Sequence, residues 1–114
     1  MFYASKVKYS DIFYKINLRI HTIAIHYELN NFDEIVTLCE TFKKFLVNDR
    51  LITEQNRSIS ANFIRFVLIL NKLKMNGAGK NVVELKKDIE NCKALGYRSW
   101  LVDKTNELIA DLYK

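Results

Sequence analysis

The sequence predicts an all-α fold of about five helices, and three observations carry this prediction. Apolar residues recur at helical spacing along most of the chain. The 114 residues include no proline and only three glycines, which is too few turn formers for a β-rich fold of this size. Apolar residues make up 49% of the chain, which is enough for a core and argues against disorder. We therefore expect one all-helical domain over residues 1–114.

The clearest feature is a pair of helices that meet at Asn30-Asn31. The apolar face before this point comprises Ile16, Ile20, Ile23 and Tyr27, and the face after it comprises Ile35, Leu38, Cys39, Phe42, Phe45 and Leu46. Asn30 tolerates the left-handed conformation that ends a helix. Asn31 is predicted to cap the next helix, with Glu34 as its capping-box partner. The short connection predicts two antiparallel helices, the second running from about Phe32 to Asn48.

The segment from His26 to Phe45, HYELNNFDEIVTLCETFKKF, resembles the turn region of a tetratricopeptide repeat. Phe32-Asp33-Glu34 stands at the turn position of that pattern. Ile23, Ile35 and Phe42 depart from it, because small residues are usual at these places. The resemblance implies an α-solenoid-like interaction module, and it carries over no functional residues.

The first and third helices have local start signals. Residues Met1 to Lys8 are expected to form a frayed lead, with Ser10 or Asp11 capping a first helix that runs to about Leu29. Thr53 is expected to cap the third helix, which continues to about residue 74. Four residues of this third helix are expected to face water, namely Glu54, Arg57, Arg65 and Lys72.

The last third of the chain contains the clearest loop, residues 76–80. Asn81 and Glu84 form a second candidate cap pair, and Gly96 is expected to end the fourth helix. The fifth helix is expected to begin near Ser99, with Leu101, Leu108 and Leu112 on its apolar face. The expected arrangement is therefore two helical hairpins followed by a C-terminal capping helix, as in an α-α superhelix. Four aromatic residues are expected to be largely buried: Phe42, Phe45, Phe63 and Phe66.

The first helix carries a second apolar stripe, nearly opposite the first one at about 100° per residue. We call it the outer stripe, and it comprises Tyr14, Leu18, Ile25 and Leu29. A helix that is apolar on two faces is expected to be buried on two sides. The third helix is expected to cover part of the outer stripe, which leaves Tyr14 and Leu18 open. These two residues are the candidate interface, either for an upstream repeat of a longer protein or for a second copy of this chain.

No catalytic, metal or cofactor site is predicted. Cys39 and Cys92 lie on apolar faces and are expected to be buried free thiols, consistent with a reducing compartment. His21 and His26 diverge by about 140° on a helix and cannot chelate one metal as an i, i+4 pair does. The loop 77–80, GAGK, lacks the full phosphate-loop pattern and no strand is expected before it. The prediction is an ordinary interhelical loop and a protein that is not an enzyme.

The charge distribution and the hydropathy of the sequence limit the kinds of function that the protein can have. The net charge of +5 is spread along the chain, and no secretory signal or membrane-length apolar run is present in the sequence. We expect a cytoplasmic interaction or scaffold module whose protein or peptide partner the sequence does not identify. A small nucleic-acid-binding helical domain is the alternative, because basic and aromatic residues neighbour each other at Tyr14-Lys15, Arg19 and Arg65-Phe66.

Overall fold

A computed structural model describes residues 2–77, 79 and 81–113, with side chains described from residue 11 onward. Within these residues there are five helices and no strand, so the predicted all-α class is confirmed. The helices are α1 (Phe2–Glu28), α2 (Phe32–Asn48), α3 (Glu54–Asn76), α4 (Asn81–Asn91) and α5 (Arg98–Leu112). None of the described helices is long and apolar enough to cross a membrane.

Two helix starts illustrate where local signals succeed and fail. The hydroxyl oxygen of Thr53 accepts a hydrogen bond from the backbone N–H of Asn56 at 3.1 Å, which confirms the predicted cap of α3. By contrast, α1 begins at Phe2, so the predicted lead before Ser10 is wrong. Met1 lies outside the described residues. The segment before Ser10 contains no glycine or proline, and nothing in it therefore stops the helix from extending.

The turn between α1 and α2 is a Schellman motif. Asn30 has φ 61°, the left-handed conformation that was predicted. The N–H of Asn31 donates to the carbonyl of His26 at 3.0 Å, and the N–H of Asn30 donates to the carbonyl of Tyr27 at 3.2 Å. The predicted side-chain cap by Asn31 is wrong, since its side chain makes no capping hydrogen bond to α2. Its amide nitrogen instead donates to His26 Nδ1 at 2.9 Å.

The chain divides into two compact units, residues 1–57 and 58–114. The expected single domain over 1–114 stays a prediction. In the first unit, α1 packs closely on α2. The buried apolar residues of these two helices are Ile12, Ile16, Ile20, Ile23, Tyr27, Ile35, Cys39, Phe42 and Leu46. The inner face predicted for α1 is therefore confirmed, together with most of the face predicted for α2.

The second unit contains most of α3 together with α4 and α5. Its close helix pair is α4 with α5, and the expected pairing of α3 with α4 is not among the close pairs of the described helices. Phe63 of α3 is fully buried, and its ring lies 6.0 Å from that of Tyr97 and 6.3 Å from that of Trp100. The amide nitrogen of Asn62 donates to the carbonyl of Ala94 at 2.8 Å. Through these side chains α3 contacts the segment that joins α4 to α5 and the first turn of α5.

Gly96, which lies in this joining segment, does not end the fourth helix as the sequence predicted. The fourth helix already ends at Asn91, and the left-handed residue before α5 is Tyr97, with φ 60°. Gly96 lies close to α3, because a Cβ at this position would be 3.3 Å from Cγ2 of Ile59, which is tighter than an ordinary van der Waals contact. The apolar face predicted for α5 is also shorter than expected, since Leu101 and Leu108 are buried while Leu112 is exposed.

Arg57 was expected to face water, and this prediction is wrong. Its Nε donates to the carbonyl of Leu46 at 2.8 Å, near the C-terminal end of α2. One Nη of its guanidinium lies 3.4 Å from the carbonyl of Asp49 and 3.5 Å from that of Ile52. The last carbonyls of a helix lack partners within the helix, and a guanidinium can satisfy several of them at once. Arg57 thus binds the end of α2 from the first turn of α3.

Candidate interaction surface

The outer stripe of α1 is exposed over its full length. The exposed fractions are 66% for Tyr14, 51% for Leu18, 58% for Ile25 and 62% for Leu29. The expectation that part of this stripe is covered is therefore wrong for Ile25 and Leu29, and from residue 11 onward the buried apolar residues of α1 lie on the opposite face. At about 100° per residue the four side chains fall within a sector of roughly 60°. They form two apolar pairs on one side of the helix and of the turn that follows it, Tyr14 with Leu18 and Ile25 with Leu29, and the helical turn between the pairs carries His21 and Thr22.

A groove lies beside the outer stripe, between α1 and α2. It encloses about 530 Å³ and is lined by Lys15, Leu18, Arg19, Thr22, Leu38, Phe45 and Asp49. Leu18 belongs to both the outer stripe and the groove, so the two surfaces are continuous. We call them together the interaction face. It lies entirely within the first unit.

Phe45 does not lie in the core, contrary to the sequence prediction. It is half-buried, whereas Phe42, Phe63 and Phe66 are buried as predicted. The guanidinium carbon of Arg19 lies 4.5 Å from the centre of the Phe45 ring, which is a cation–π contact. Phe45 stands on the groove side of the α2 face, and the Arg19 guanidinium lies over its ring. The contact fixes a positive charge above an aromatic wall.

Arg19 has an incomplete set of hydrogen bonds. Its Nε is buried and has no hydrogen-bond partner among the described residues. A buried polar group without a partner costs about 1–3 kcal/mol, so such a group in a folded protein calls for an explanation.

The other charged groups of the groove are already engaged. Lys15 pairs with Asp11 at 3.2 Å, one turn earlier on α1. The carboxylate of Asp49 accepts a hydrogen bond from the backbone N–H of Leu51 at 3.0 Å, which holds it in the turn after α2. No ion pair to Arg19 occurs among the described residues. Within that part of the chain, Arg19 and Asp49 are therefore the two charged groups of the groove lining without an ion pair, and their charges are opposite.

The two predicted interface residues, Tyr14 and Leu18, do not both line the groove. Leu18 lines the groove, whereas Tyr14 lies on the outer stripe and is not among the residues that line the groove. Their role as an interface stays a prediction. The sequence named Arg19 only in the nucleic-acid alternative, and it placed Leu38 and Phe45 on the apolar face of α2. The sequence pattern that indicates this surface is the pair Lys15 and Arg19, four residues apart beside the outer stripe. Such a pair forms a basic edge along an apolar stripe.

The residues considered for metal or thiol chemistry do not converge. His26 bonds to Asn31, and the described residues contain no group of three or more potential metal ligands. Cys39 is buried as predicted, whereas Cys92 is only half-buried, just beyond the end of α4. Burial raises the pKa of the Cys39 thiol from 9.0 to about 12, against the opposing effect of nearby Lys43. A thiol with such a pKa is a poor nucleophile at neutral pH.

Comparison with known proteins does not assign the chain to a family. No protein-family model, curated protein or solved structure matches the chain. The resemblance of His26–Phe45 to a tetratricopeptide repeat therefore stays a prediction.

Proposed function

We propose that this protein is a non-catalytic interaction module that binds a partner polypeptide through its interaction face. The observation that carries the proposal is the exposure of the whole outer stripe, where every side chain is more than half exposed. Contiguous exposed apolar patches on a folded protein commonly mark protein–protein contacts. The groove adds a concave apolar site beside the stripe, which suits the anchor side chains of a partner.

The resemblance of the α1–α2 turn to a tetratricopeptide repeat points in the same direction, because proteins built from such helical pairs present extended binding surfaces. The observed turn geometry is consistent with that resemblance, since a three-residue connection with left-handed Asn30 brings α1 and α2 together. The scaffold role and the identity of the partner remain part of this proposal.

The proposal can be tested by selecting binders from a displayed peptide library on the immobilised chain. Selected binders are then measured against the Ile25→Glu variant, which places a charge in the middle of the outer stripe, and against Leu29→Glu as a second variant. Val83→Glu is the matched control, because Val83 is also an exposed apolar residue but lies on α4. We expect binders to lose at least tenfold in affinity with the stripe variants and to be unaffected by the control.

Two results would overturn the proposal. One is a set of binders whose affinities do not distinguish Ile25→Glu and Leu29→Glu from the control. The other is retention of the chain on RNA or DNA with a steep salt dependence and no selected peptide binder, since counterion release is characteristic of nucleic-acid binding. Circular dichroism of each variant establishes that it retains the helical fold.

A further inference from the structure

We draw no further inference here: the strongest candidate, the groove between α1 and α2, belongs to the interaction face already described and carries opposite charges at Arg19 and Asp49, and nothing in the structure shows what covers it.

Discussion

The side-chain amide of Asn31 donates to His26 Nδ1 at 2.9 Å across the turn between α1 and α2. In a Schellman motif these two positions are usually joined by an apolar contact, and here a polar one takes its place. Asn31 precedes α2 with φ −85° and ψ 69°, outside the extended conformation from which a side chain usually caps the following helix. The Asn31 side chain therefore completes the end of α1, while its backbone carbonyl accepts the first hydrogen bond of α2 from the N–H of Ile35 at 3.1 Å.

The first prediction concerns the left-handed residue of this turn. Asn30→Ala should lower the free energy of unfolding by about 1 kcal/mol, because a Cβ is disfavoured at φ 61° and alanine lacks the side chain that helps asparagine tolerate it. Asn30→Gly should change stability by no more than a few tenths of a kcal/mol. Urea unfolding measures both variants. Equal stability of the two variants would mean that the left-handed conformation is not required in solution.

The structural elements that sequence reasoning predicted well depend on local interactions. The bounds of α2, the left-handed Asn30 and the Thr53 cap each depend on a few neighbouring residues. The errors at Arg57 and Gly96 arise from partners distant in the sequence. Arg57 binds carbonyls of the preceding helix end, and Gly96 lies against Ile59, and neither relationship is encoded in the residues beside it.

The candidate site was predictable only in its apolar part. The helical period placed Tyr14 and Leu18 on one stripe, and their exposure agrees with that position. The period equally suggested that Ile25 and Leu29 are covered, because a pattern of apolar residues does not reveal which stripe lacks a neighbour. Arg19 was named only in the nucleic-acid alternative, because a charged residue on a helix is normally assigned to solvent, although its stem and guanidinium can cover an aromatic ring.

The second prediction concerns the guanidinium that binds the end of α2. Arg57→Ala should lower the free energy of unfolding by about 1–3 kcal/mol, because the 2.8 Å bond to Leu46 is lost and helix-end carbonyls are left without this donor. Arg57→Lys should recover only part of the loss, since lysine lacks the planar fork. Arg50→Ala is the control, because Arg50 is exposed in the connection between α2 and α3. Chemical unfolding that shows equal effects at positions 50 and 57 would contradict the assignment.

The third prediction compares two phenylalanines that the sequence treats alike. Phe63→Ala should cost about 3–5 kcal/mol, because its ring is fully buried against Tyr97 and Trp100. Phe45→Ala should cost clearly less, since its ring is half-exposed and much of its cover is the Arg19 side chain. The midpoints of urea unfolding give both losses of stability, provided that the dependence of the unfolding free energy on urea concentration is unchanged. Losses of the same size would place Phe45 back in the core, and a loss under about 1 kcal/mol at Phe63 would remove it from the core.

The fourth prediction concerns stability at high pH. Burial raises the pKa of the Cys39 thiol to about 12 in the folded chain, against 9.0 for the exposed group. Below pH 9 the thiol is protonated in both states and pH has no effect through this group. Above pH 9 the Cys39 thiol loses its proton in the unfolded chain before it does so in the folded chain. The folded state then binds more protons, so the free energy of unfolding falls as the pH rises. At pH 10.5 the loss should be about 2 kcal/mol.

The Cys39→Ala variant isolates this effect, because lysines and tyrosines titrate in the same range in both proteins. Alanine in place of a buried thiol lowers stability at every pH, but it removes the ionisable group. The difference in unfolding free energy between the two proteins should therefore shrink by about 2 kcal/mol between pH 8 and pH 10.5. A constant difference across this interval would show that the Cys39 thiol titrates near its ordinary value and is accessible to water in the folded chain.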